Sequence, residues 1–130
     1  MRSLAREVVF KYVFSRLFNP CDEGLFDVLI KDDNLNDTDK DFARELLGFI
    51  DAKYDEYLST IEKLAEGYKL NRVFNADKCA LLIGMAEFDN YKDTPVAVIV
   101  NEAVNLSAKF STEKSTDFVN GILAKYVMEK

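Results

Sequence analysis

Apolar residues recur at helical spacing along almost the whole chain, and no alternating strand pattern interrupts them. Over residues 3–18, Ala5, Val8, Val9, Tyr12, Val13 and Leu17 form one stripe, and Phe10, Phe14 and Phe18 widen it. So little polar surface predicts a central helix with neighbours on several sides. Asn19-Pro20 ends it, because proline disfavours helical backbone in the residue before it. Leu25, Phe26, Leu29 and Ile30 predict a short second helix. The longest pattern covers 38–66, through Phe42, Leu46, Phe49, Ile50, Tyr54, Tyr57, Leu58, Ile61, Leu64 and Ala65, and Gly67 is placed to end it. Leu70, Val73 and Phe74 make a short helical turn. Asn75 then caps a new helix, with Phe74 and Cys79 spaced as a hydrophobic staple and Leu82, Ile83, Met85, Ala86 and Phe88 as its buried side. Gly84 within it implies either a close helix–helix approach or a tolerated cost of about 1 kcal/mol.

The stretch 94–121 predicts two further helices joined by a polar turn. Thr94-Pro95 is a start signal, a capping hydroxyl followed by proline at the first helical position. Val96, Ile99, Val100, Ala103, Leu106 and Phe110 give one wide apolar face. After the turn 111–114, Ser115 caps a helix whose stripe is Phe118, Val119, Ile122, Leu123 and Tyr126. The chain is therefore all-α, about seven helices. The break between Gly67 and Asn75 divides an N-terminal half, 1–67, from a C-terminal half, 75–130, and the two are expected to pack as one unit.

Composition narrows the chemistry. With 130 residues, 48% apolar and 31% charged, the chain can bury a real core. No apolar run approaches membrane-spanning length, and the first helix is too charged for a signal peptide. Cys21 and Cys79 lack metal spacing and read as plain thiols of a reducing, cytoplasmic compartment. The sequence has no histidine, which removes the usual general base, the usual zinc ligand and every Ser-His or Cys-His arrangement. Its 5 glycines are scattered and build no phosphate-cradling loop. The run 32–39 offers oxygens at Asp32, Asn34 and Asn36, but a calcium loop needs glycine where Asp37 stands and glutamate where Ala43 stands. It reads better as the cap of the following helix. Neither a catalytic centre, a cofactor nor a metal is expected.

A net charge of −6 argues against a general nucleic-acid binder, yet the charge is uneven. Residues 1–18 hold Arg2, Arg6, Lys11 and Arg16 against Glu7 alone, 19–45 are strongly acidic, and 107–130 are mildly basic. Arg2 and Arg6 share a face at a helix N-terminus, where cations oppose the helix dipole by roughly 0.3–1 kcal/mol each. Either an anionic ligand repays that cost, or the two are simply solvated.

The run Val98-Ile99-Val100-Asn101-Glu102-Ala103-Val104, followed by Ala108-Lys109-Phe110 and by Phe118-Val119-Asn120-Gly121-Ile122-Leu123, resembles the signature of the NusB family of transcription antitermination factors. Weaker similarity reaches through 82–88 and Thr94-Pro95 back to Ala5-Arg6-Glu7. The resemblance implies two small helical bundles packed across each other. It implies binding of boxA-type single-stranded RNA from ribosomal RNA leaders, together with the small-subunit ribosomal protein NusE, within an antitermination complex on RNA polymerase. Carried over position by position, it implies RNA contacts at Arg2, Arg6, Lys11, Lys109, Lys114, Ser115 and Phe118, the start of the Ser115 helix offering N–H groups to an anion. It implies partner contacts at Phe14 and Asp77. Both Phe110 and Phe118 also fit a core position, and Asp77 also fits a first-turn acid favoured by the helix dipole. Asn101-Glu102 reads as a polar tie between helices.

Two further functions stay open. The thin arginine patch, interrupted by Ser3 and Leu4, favours a protein-interaction module with weak or lost RNA binding. NusB-like folds also occur fused to ribosomal-RNA cytosine methyltransferases, but no cofactor-binding domain lies within these residues. A monomer and a homodimer both fit the sequence.

Overall fold

The computed structural model describes residues 2–18, 24–31, 34–67 and 69–130. Among them are seven α-helices: α1 (Arg2–Phe18), α2 (Leu25–Leu29), α3 (Asp37–Ala52), α4 (Tyr54–Leu64), α5 (Asn75–Asn90), α6 (Val96–Phe110) and α7 (Glu113–Met128). One 3-10 turn, Leu70–Arg72, precedes α5. The Asn19-Pro20 stop, Cys21 and Asp32 lie outside the described residues.

The centre is α5, not α1. Between Ala76 and Glu87 every residue of α5 except Lys78 is buried, and α1, α3, α4, α6 and α7 all pack on it. A helix apolar all round carries no one-sided stripe and belongs inside. Helix α1 buries Ala5, Val8, Val9, Phe10 and Val13, but Phe14 is only half-buried and Phe18 is 66% exposed.

The long pattern over 38–66 is two helices. Lys53 (φ −130°, ψ 26°) breaks it, and the chain turns so that α3 faces α1 and α5 while α4 faces α5 and α7. No glycine or proline marks the bend, and the apolar spacing runs through it. Asn36 opens α3 with a reciprocal cap: its side chain accepts from Asp39 N–H at 2.8 Å, and Asp39 accepts from Asn36 N–H at 3.4 Å. Helix α4 stops at Leu64, whose carbonyl accepts from Lys125 Nζ at 3.2 Å, and Gly67 supplies the left-handed step at φ +84°.

Three helix starts differ from the sequence expectation. Pro95 sits at the cap of α6 rather than inside it. Helix α7 is capped by Thr112, whose hydroxyl accepts from Ser115 N–H at 3.2 Å, so Ser115 lies within the first turn. Phe74 occupies the cap position of α5 and points out, 60% exposed, so no staple forms on the fully buried Cys79. Burial pushes the Cys79 thiol up to about 12.

Two features lock the C-terminal helices onto α5. Tyr57 and Tyr126 hydroxyls both donate to Asp89, at 2.8 and 2.7 Å, joining α4 and α7 to α5. At Gly84 a Cβ would stand 2.9 Å from Leu123 Cδ1 and 3.3 Å from Ala103 Cβ, so α6 and α7 approach α5 where it has no side chain.

Candidate nucleic-acid interface

The two N-terminal arginines are occupied inside the fold. Arg6 is 3% exposed and grips Glu87 of α5 with two hydrogen bonds, Nε–Oε2 at 2.7 Å and Nη2–Oε1 at 2.8 Å. Glu102 of α6 stands 3.6 Å from Nη1 and also accepts from the Ser3 hydroxyl at 3.1 Å. This corrects the reading of Arg6 as an RNA contact: the planar fork serves a buried carboxylate, where an unpaired charge would be severely penalised. Glu102 thus ties helices, as the Asn101-Glu102 pair implied. Arg2 is exposed, but its guanidinium lies 4.6 Å above the Phe42 ring and 5.8 Å from the Tyr91 ring, against α3 rather than along the rest of the basic set.

The remaining candidates gather around two concavities. The smaller, about 230 Å³, is lined by Phe10, Lys11, Phe14 and Phe110. Phe10 stacks on Phe110 at 4.6 Å and on Phe14 at 6.1 Å, and Phe14 meets Phe18 at 5.1 Å. The result is an aromatic row along α1 that runs from buried Phe10 to exposed Phe18, with exposed Lys11 beside it. Lys109 borders this row, 5.6 Å from the Phe110 ring, and is bound to Glu7 at 2.7 Å.

The larger concavity, about 700 Å³, opens where α5 and α7 begin. Its walls are Arg72, Phe74, Asp77, Thr112, Glu113, Lys114, Ser115 and Phe118. Among the described residues neither Arg72 nor Lys114 has an acidic partner, and both are exposed. Phe118 is half-buried. Ser115 is 4% exposed, and its hydroxyl is shared with Ser111 at 3.0 Å and Thr112 at 3.1 Å. Its own N–H is taken by Thr112 and is not available to an anion. Asp77 is 3% exposed, and its Oδ1 has no hydrogen-bond partner. Burial raises the Asp77 carboxyl above its ordinary value, and the nearby Ser115 and Ser111 hydroxyls hold that rise down without forming a good bond to Oδ1.

Geometry therefore regroups the sequence candidates. Lys11 and Phe14 share one concavity, with Lys109 beside its Phe110 wall; Lys114, Ser115, Phe118 and Asp77 share the other. Sequence reasoning missed Arg72 and Phe74 as site residues, although a cation and an aromatic two apart, just ahead of a helix start, are visible in the sequence. No helix of the described residues is long and apolar enough to cross a membrane.

An all-helical fold presenting aromatic rings interleaved with lysine and arginine is that of a helical binding protein. Its kinship is definite: the chain belongs to the NusB family, whose model matches residues 1–128. It is similar to the transcription antitermination protein NusB of Natranaerobius thermophilus, 36% identical, covering 94% of this chain and 91% of that protein. Its fold matches T. maritima NusB with a TM-score of 0.89 at 28% identity, over 96% of this chain and 89% of that one. It also matches a crystal structure of antitermination factors NusB and NusE in complex with dsRNA, with a TM-score of 0.88 at 25% identity, over 99% of this chain and 97% of that one.

Proposed function

We propose that this chain is a cytoplasmic transcription antitermination factor that binds boxA-type RNA together with the ribosomal protein NusE and joins an antitermination complex on RNA polymerase. The observation that carries this reading is the pair of concavities that bring aromatic rings and cations together, one between α1 and α6 and one where α5 and α7 begin. Aromatic rings suit unpaired bases, and the exposed lysines and arginine suit phosphates. Family membership and the relative solved with NusE and dsRNA support it. The RNA set is Arg72, Lys114 and Phe118 around the larger concavity, with Lys11 and Lys109 extending it; Arg2 reaches it least. Phe14, in its aromatic row, is the partner contact. Function here is additive weak contacts, with no bond made or broken.

The test is binding of a boxA-type RNA against a scrambled RNA, with and without NusE, at two salt concentrations. Sequence-specific binding that strengthens with NusE and weakens with salt is expected.

A second reading, an interaction module with little RNA binding, is favoured by the burial of Arg6 and by the capture of Lys109 by Glu7. NusE binding without any preference between the two RNAs would select it.

A further inference from the structure

The larger concavity holds one side chain that phosphate binding does not use. Asp77 sits at its base, buried, with an acceptor oxygen that no donor of the protein satisfies. A buried acceptor left open is costly unless something completes it. The Ser111 and Ser115 hydroxyls lie beside the carboxyl and, with Thr112, also bond among themselves, and Oδ1 keeps no partner. Two phenyl rings, Phe74 and Phe118, two cations, Arg72 and Lys114, and one further acid, Glu113, line the same concavity.

That combination has a specific complement. Flat apolar walls take a planar ring, an unpaired carboxylate takes N–H donors on its edge, and flanking cations take phosphates on either side. A volume of about 700 Å³ is ample for one nucleotide. A basic protein segment would leave Arg72 and Lys114 without counter-charges, whereas the phosphates of a nucleotide chain supply them.

We propose that this concavity seats one base of the bound RNA and that Asp77 selects a base with a donor edge, guanine first. The inference rests on the RNA-binding reading above and adds a base preference to it. Guanine presents N1–H and N2–H side by side to a carboxylate. Adenine and cytosine each present one amino group. Uracil presents a single N–H between two carbonyl oxygens, which the carboxylate repels. Asp77 is thereby moved from the partner set to the RNA set.

The experiment measures affinity for a panel of short single-stranded boxA-type RNAs in which each position is changed to all four bases, using the full chain with NusE present. The wild-type protein should show one position where guanine exceeds uracil by about tenfold or more. Asp77→Asn, which exchanges one acceptor for a donor at nearly constant volume, should shrink that ratio by about tenfold at that position alone. Phe74→Ala, at an exposed site with no folding role, should weaken all RNAs of the panel alike. An unchanged base profile in Asp77→Asn, with NusE binding weakened instead, overturns the assignment and returns Asp77 to the partner. Absence of RNA binding by the wild type overturns this inference and the proposed function together.

Discussion

Replacing Arg6 with alanine would strand Glu87, 1% exposed, as an uncompensated buried charge. The expected loss is about 3–5 kcal/mol, seen as a lower urea midpoint, whereas an Arg6→Met, Glu87→Leu double variant should recover most of it. A wild-type midpoint in the single variant would contradict the structural role. Asp77 behaves in the opposite sense. Its folded pKa lies above its unfolded value, so the folded state holds the proton more tightly, and stability falls as pH rises through that window. Asp77→Asn is therefore expected to be at least as stable as wild type near neutral pH, with the difference closing towards about pH 4. Thermal melts across pH check this, and a gap that widens on acidification would contradict it. Neither role is legible in the sequence. Ala5-Arg6-Glu7 shows a charged pair on a helix, but the partner that buries Arg6 lies 81 residues away. Charge at a helix start reads the same from sequence whether it points outward or inward.

At the scale of elements, local signals and long-range packing divide the legibility. Glycines with backbone reasons are readable: Gly67 ends α4 with a positive φ, and Gly84 admits α6 and α7. Gly84→Ala should be destabilising by roughly 1–3 kcal/mol, because the clash with Leu123 outweighs the better helix propensity of alanine. A melting temperature equal to or above wild type would mean that Leu123 yields. The bend at Lys53 is not readable, since apolar spacing continues across it and the direction change is set by what each half packs on. The caps slip for a related reason. Ser115 and Thr112 are both good capping residues three apart, and the structure uses Thr112 as the cap while Ser115 is buried in the first turn. Spacing alone makes Phe74 a staple, yet it faces the concavity. The aromatic at a helix entrance serves the site there, not the core.

At the scale of the molecule, a chain of net charge −6 carries its RNA candidates as a narrow seam on an acidic body. An acidic body steers a basic protein partner, and a narrow cationic seam restricts RNA to one track. The seam is thinner than the sequence implies, because Arg6 is buried and Lys109 is paired. In the proposed function its principal phosphate-binding groups are then Arg72 and Lys114. The most direct measurement is the salt dependence of boxA-type RNA binding by an Arg72→Ala, Lys114→Ala double variant beside wild type. Without these two cations, affinity should fall and the slope of log affinity against log salt should flatten by about 1.4. Wild-type affinity and an unchanged slope would place the RNA elsewhere on the protein and contradict the account.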